Sequence, residues 1–210
     1  ETAYSVDTEI LKVAKTLRDN RIEVGTFQYY ERFKMLDDKM PKHLTELPTD
    51  HPSRKDWRKE RKALWELHNQ KVKKAVRTAK SLLSAEEFLK YPRFYLSWSN
   101  DYRGRVYPQQ PWLNPQSTEF EKSLIRFADG CKLDKQGEWW VCQAIGASYL
   151  GTTLNLQERV QWTIDNLELI KLVGSEPLSN IAQWENAKEP FQFLQLCMEY
   201  FKVVITKQQK

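Results

Sequence analysis

The chain has 210 residues, with 33 Lys and Arg against 28 Asp and Glu and a net charge of +5, and its pI is near 9.0. Hydrophobic residues make up 40% and charged residues 29%, the balance of a globular chain with a buried core rather than a disordered tail. Mean hydropathy is −0.70. No apolar run approaches the roughly 18 residues of a membrane-crossing helix, so transmembrane, collagenous and low-complexity classes are excluded and no membrane partner is expected.

In chain order, residues 5–21 read as an amphipathic helix capped by Asp7, with Ile10, Val13, Ala14 and Leu17 as its buried stripe. Residues 22–52 carry Pro41, Pro48 and Pro52 and read as a connection, with one short helix around Tyr29–Leu36 and with Asp37-Asp38 as solvated loop charges. Residues 53–83 read as a long helix with Ser53 at its N-cap. One face carries Trp57, Leu64, His68, Val72, Ala75, Ala79 and Leu82. Ser84-Ala85-Glu86-Glu87 reads as a capping box that opens a further short helix before Pro92, with Glu86-Glu87 as helix-start charges.

The pattern then changes. Arg93–Ser99 and Arg105–Tyr107 are strand-like and joined by a turn over Ser99–Gly104, so the span 94–108 is expected to be a short β-hairpin. Residues 108–116 are loop. Helices follow at about 118–128, 135–150, 156–173 and 190–204. Their starts are marked by Thr118 with Glu121, by Asp134, by Asn155 with Glu158, and by Pro190. Gly130, Gly151 and Gly174 sit at three of the ends. Two aromatic stripes, Trp139/Cys142/Ile145/Tyr149 and Phe191/Leu194/Met198/Phe201, read as core. The fold class is mainly α with a short β-hairpin.

Three cysteines (Cys131, Cys142, Cys197) with no CxxC pair argue against a disulfide scaffold or a cysteine zinc site, and for a reducing, intracellular compartment. The three histidines show no paired metal-ligand spacing, so no metal site is expected here. The chain starts Glu1-Thr2-Ala3, without an initiator methionine, and reads as a chain cut or excerpted from something longer.

The charge is uneven. Residues 53–83 hold eleven basic residues, among them Lys71, Lys73, Lys74 and Arg77, against Asp56, Glu60 and Glu66. This segment is +8 and the remainder −3. Some 30 residues at 1.5 Å rise make a rod about 45 Å long, too long for a domain this small to cover. Such a run can be a solvated face. A solubilising face, however, usually mixes signs at i,i+4, and this one does so sparingly. A polyanion, above all nucleic acid, is the natural partner.

The richest short segment is Ser99-Asn100-Asp101-Tyr102-Arg103-Gly104-Arg105-Val106-Tyr107-Pro108. Gly104 permits close backbone approach to a ligand. Arg103 and Arg105, two apart, share a face in strand geometry. Guanidinium groups fork onto phosphate, and Tyr102 and Tyr107 can stack on a base or touch a sugar. Asp101 can orient one arginine without neutralising both. The same residues also fit a plain β-turn with an Asp101–Arg105 surface ion pair.

Asp101-Tyr102-Arg103-Gly104-Arg105-Val106-Tyr107, followed by Asn114-Pro115-Gln116, resembles the DxxGR motif of the bacteriophage-type single-subunit RNA polymerases. Thr2-Ala3-Tyr4, the helix with Lys122-Ser123-Leu124, Gly137-Glu138-Trp139-Trp140, Glu158-Arg159-Val160, and Pro190-Phe191-Gln192-Phe193-Leu194 with Cys197, Glu199 and Tyr200 resemble that family's segments in order. The likeness is strong from Trp98 onward and rests on helical, basic character across 22–80. It implies a thumb-like region over 1–90 built on the long basic helix, and a partial palm of packed helices over 91–210. It implies template-strand and RNA–DNA hybrid contacts by Asp101, Gly104 and Arg105, with Tyr102, Arg103 and Tyr107 beside them and Lys122 near the template backbone. The parent would be a nucleotidyltransferase using Mg2+ on two palm aspartates. This segment, in which no motif resembles theirs, is expected to bind no cofactor, to be inactive alone and to need no obligate protein partner. The rival readings are a standalone basic helical nucleic-acid-binding protein and a scaffold for an acidic protein.

Overall fold

The structure, a computed structural model, describes residues 2–29 and 39–207; apart from Tyr29, the helix expected at Tyr29–Leu36 and the Asp37-Asp38 pair lie outside these. The elements are β1 (Tyr4–Val6), α1 (Thr8–Asp19), α2 (Lys42–Thr45), α3 (Pro52–Phe88), β2 (Trp98–Asn100), β3 (Val106–Pro108), α4 (Glu119–Ser123), β4 (Ile125–Phe127), α5 (Lys135–Leu150), α6 (Leu156–Asp165), α7 (Leu167–Ser175), α8 (Ile181–Trp184) and α9 (Pro190–Tyr200), which runs into a π-helical turn at Phe201–Ile205. The molecule is mainly α with a short β-hairpin, as expected, and has a second small antiparallel sheet, β1 with β4.

Asp7 caps α1, accepting from the Glu9 and Ile10 N–H groups, and the expected stripe is buried together with Leu11. The helix is shorter at its start than the pattern suggests, because Tyr4–Val6 is extended. Its register is Tyr4 with Phe127, Ser5 with Arg126 and Val6 with Ile125. The strand's other edge meets Phe94, with each of Tyr4 and Phe94 donating its N–H to the other's carbonyl at 2.9 Å. This pairing also corrects the helix expected at 118–128. The Thr118–Glu121 capping box is present, but the helix ends at Ser123 and Ile125–Phe127 becomes β4. A β-branched residue and an aromatic one find a strand partner some 120 residues away, and tertiary pairing overrides the local period.

The long helix differs at both ends. Its N-cap is His51, whose Nδ1 accepts from the Ser53 N–H, with Pro52 at the first helical position. It continues through Ser84 without a second start, so Ser84–Glu87 is not a capping box and Glu86-Glu87 are not helix-start charges. Glu86 instead faces α1, 2.9 Å from Lys15 Nζ and 4.0 Å from Arg18. Nothing between Ser53 and Tyr91 breaks a helix, and burying Leu82 and Ala85 against the core carries it to Phe88. At 37 residues the rod is about 55 Å long. Its buried residues (Ala75, Thr78, Ser81, Leu82, Ala85) all lie in its second half. Leu64, expected on the inner face, is 45% exposed.

The helix expected at 156–173 is two. Asn166 (φ −111°) ends α6, and its side chain donates to the Trp162 carbonyl, a local bond that competes with helix continuation. Gly174 therefore lies inside α7, and Gly130 falls in the loop after β4. Gly151, with φ +86°, ends α5 as expected.

At the centre of the core is α9, with Phe191, Phe193, Leu194 and Cys197 fully buried, packed by α4, α5 and α7. Phe191 meets Phe120 at 4.8 Å and Trp184 at 5.5 Å. Beside it, α5 and α6 are pinned by Thr163 Oγ1 donating to the Cys142 carbonyl at 2.7 Å. All three cysteines are free, and no helix among the described residues is long and apolar enough to cross a membrane.

Candidate nucleic-acid interface

The hairpin pairs Trp98 with Pro108, Ser99 with Tyr107 and Asn100 with Val106, so Asp101–Arg105 forms its turn and neither arginine is in strand geometry. One carboxylate organises that turn. Asp101 Oδ1 accepts from the Arg103 and Arg105 backbone N–H groups, both at 2.9 Å, and Oδ2 accepts from Arg105 Nε at 2.7 Å, with Nη2 at 2.6 Å. The Gly104 N–H closes on the Asp101 carbonyl. Gly104 has φ +76° and nothing within 4 Å of where a Cβ would stand, so this backbone is open to an approaching ligand.

The Asp101–Arg105 ion pair is real, but it leaves the Arg105 guanidinium 5.6 Å over Tyr107 and Arg103 free to lie 5.1 Å over Tyr102. Tyr102 is 86% exposed. A fork with two N–H groups engaged retains others for phosphate.

The Arg105 backbone N–H does most to hold the Asp101 carboxyl below the usual carboxylate range. Desolvation opposes it, and the Arg105 guanidinium and Arg103 N–H add to it. A depressed carboxyl supports structure above its ordinary titration range and loses that support as pH falls through its folded value. The Arg103 and Arg105 amide proton resonances are therefore expected to stay at their neutral-pH positions until below the ordinary aspartate range and then move together. Movement within the ordinary range would show that the clamp is not formed.

On the rod, Lys71, Lys73 and Lys74 are exposed. Lys73, Lys74 and Arg77 line a cleft of about 290 Å³ with Thr26, Thr118 and Glu121. Arg77 is not bare. It forks onto Glu121, with Nε 2.9 Å from Oε1 and Nη2 2.7 Å from Oε2, and its Cζ lies 5.9 Å from the Trp112 ring. Lys80 Nζ lies 5.3 Å from the same ring. Burial pushes the Glu121 carboxyl up, but bonds from Arg77, Ser81 and the Thr118 N–H outweigh it and hold it below the usual range. Trp112 and the Gln116 Nε2 bond to the Val106 carbonyl make the loop after the hairpin the physical link between turn and rod. Lys122 follows Glu121 on α4 and is half-buried. Sequence reasoning missed Trp112, Ser81 and the pairing role of Glu121. The capping-box pattern flagged Glu121, but nothing local signals a partner 44 residues away.

Among the described residues, no three His, Cys, Asp or Glu side chains converge as a metal site requires. The two carboxylates of α4, Glu119 half-buried and Glu121 buried, are committed to protein donors. Glu119 takes Thr26 Oγ1 and the Phe191 N–H at 3.0 Å each, and Glu121 takes Arg77 and Ser81. These residues do not fit a Mg2+ site.

The class that fold and surface define is a helical protein presenting an exposed cationic rod beside an arginine turn. A sequence model of the family described as DNA-dependent RNA polymerase matches residues 131–210. The DNA-directed RNA polymerase of Enterobacteria phage K11 is 26% identical over 201 residues, which is 95% of this chain and 21% of the relative. That of phage T3 is 24% identical over the same length, 95% of this chain and 22% of the relative. The mitochondrial DNA-directed RNA polymerase 1 of Arabidopsis thaliana is 30% identical over 151 residues, 71% of this chain and 16% of the relative. The phage matches take in the rod and the hairpin as well. Over 95% of its length the chain is similar to the phage-type single-subunit RNA polymerases, and it spans about a fifth of the length of these phage relatives.

Proposed function

We propose that this chain is the part of a DNA-directed RNA polymerase, a nucleotidyltransferase, that holds the DNA template strand and the RNA–DNA hybrid, with residues 1–90 as thumb and 91–210 as the first part of the palm. The observation that carries the reading is the rod's cation set. Of the eleven basic residues in 53–83, only Lys62, 3.9 Å from Glu66, and Arg77 have a carboxylate partner among the described residues. A solvated helix face is normally laced with such pairs; an unpaired row is suited to phosphates.

In this reading Lys71, Lys73 and Lys74 lie along the hybrid backbone and release its counterions. Arg105, aimed by Asp101, forks onto a template phosphate. Arg103, Tyr102 and Tyr107 pack against sugar or base, the open Gly104 backbone lets the strand approach, and Lys122 neutralises a further phosphate. The metals of nucleotidyl transfer, Mg2+ by our reading, belong to residues outside those described. The free cysteines are consistent with a reducing interior, that of an infected cell or an organelle.

The test is fluorescence anisotropy of a labelled RNA–DNA hybrid between about 50 and 200 mM salt, where log K is expected to fall steeply and linearly with log[salt]. Lys73→Gln with Lys74→Gln should reduce the slope by about one per lysine that contacts phosphate. No binding at the low-salt end, or equal binding of polyglutamate, would overturn the proposal.

A further inference from the structure

The solvent-reaching half of α3 has its root between Ala75 and Ala85, where its buried residues lie. Just inside that root, Arg77 and Ser81, one helical turn apart, both reach one carboxylate on another element. Glu121 is 1% exposed. It accepts from Arg77 at two atoms, from Ser81 Oγ at 2.5 Å, and from the Thr118 N–H at 3.2 Å. Trp112 covers Arg77 from the hairpin loop. With Nε and Nη2 committed to Glu121, Arg77 is well placed to fasten the rod, whatever its remaining N–H groups meet.

From Arg77 to Pro52 the rod runs 25 residues, about 38 Å, so a tilt of roughly 10° at the root displaces its far end by about 6–7 Å. That exceeds the axial rise of about 3.4 Å per phosphate along one strand. A buried carboxylate with a forked guanidinium resists such a tilt, because loosening it leaves the charge unpaired in a dry site.

We propose that Glu121 is a positioning residue that, through Arg77, sets the direction in which α3 leaves the core and so the register at which the cations of its far half, Arg54 to Lys62, meet nucleic acid. The functional half of this inference rests on the nucleic-acid reading above; the geometric half does not. The native thiol of Cys131 is exposed while Cys142 and Cys197 are buried, so a spin label at Cys131 and another at Lys59→Cys report the rod's direction directly. The parent chain should give one narrow distance distribution. Glu121→Gln should broaden it by several ångströms and weaken hybrid binding about tenfold, the size of one lost charged contact. Arg77→Lys, which keeps the charge but not the fork, should fall between.

A folded Glu121→Gln protein with the parent distribution overturns the proposal. If that variant does not fold, Arg77→Lys decides by the same measurement, a broadened distribution supporting the proposal and an unchanged one overturning it. Should the parent chain bind no hybrid, the nucleic-acid reading fails, and the distance distributions still decide whether Glu121 directs the rod.

Discussion

Gly146→Ala is expected to destabilise the protein by about 2–3 kcal/mol, because the added methyl meets backbone and not a movable side chain. A Cβ at Gly146 would overlap the carbonyl oxygen of Arg159 and stand 2.9 Å from its carbonyl carbon. The helix α6 would have to move away from α5, stretching the Thr163–Cys142 bond between them and uncovering Ile145 and Val160, both buried. Gly174→Ala should behave alike, since its Cβ would stand 2.6 Å from the Cys197 carbonyl oxygen and from Phe201 Cβ. Gly130→Ala, with nothing within 4 Å, serves as the control. Urea unfolding of the three variants measures the ranking. An unchanged midpoint for Gly146→Ala would mean that the α5–α6 contact yields at little cost.

Arg105→Ala is expected to weaken hybrid binding by about 1–3 kcal/mol, the cost of a charged bond to phosphate, and to lower the salt slope by about one. Asp101→Ala should weaken binding too, for a different reason. It keeps every cation but removes the acceptor of two backbone N–H groups and the Arg105 fork, so binding weakens while the salt slope stays near the parent value. Arg105→Lys keeps the charge and loses the fork, and should be intermediate. Anisotropy titrations at several salt concentrations separate these outcomes. Parent-like affinity for Arg105→Ala would remove the turn from the binding surface.

These effects depend on features that differ in how plainly the sequence announces them. Asp7, Thr118, Asp134 and Asn155 are caps whose signal and partner lie within three residues, and each was legible. The basic rod was legible because charge imbalance needs no partner to be seen. The Asp101–Arg105 turn was legible as a motif, though not the clamp in which one carboxylate holds two N–H groups and a guanidinium. What stayed hidden is whatever depends on distant chain: β4, whose partner is Tyr4–Val6; the break at Asn166, settled by a side-chain bond in a stretch that otherwise reads as one helix; and Glu121, whose local role as capping residue masks its bond to Arg77.

The pairing of β1 with β4 also bears on the order in which the chain can fold. Tyr4–Val6 has only the bridge to Phe94 until Ile125–Phe127 exists, and Asp7, besides capping α1, accepts from Gln195, 188 residues away. Closing loops of that length costs entropy before any contact returns it, which slows the search. As the chain leaves the ribosome, α1 and α3 form early from local signals and can meet each other, while the part of α1 that packs on α9 waits for α9 to be made. The strand β1 is thus secured late although it is made well before the strand it pairs with, and that interval is when this segment is most open to chaperones and to aggregation.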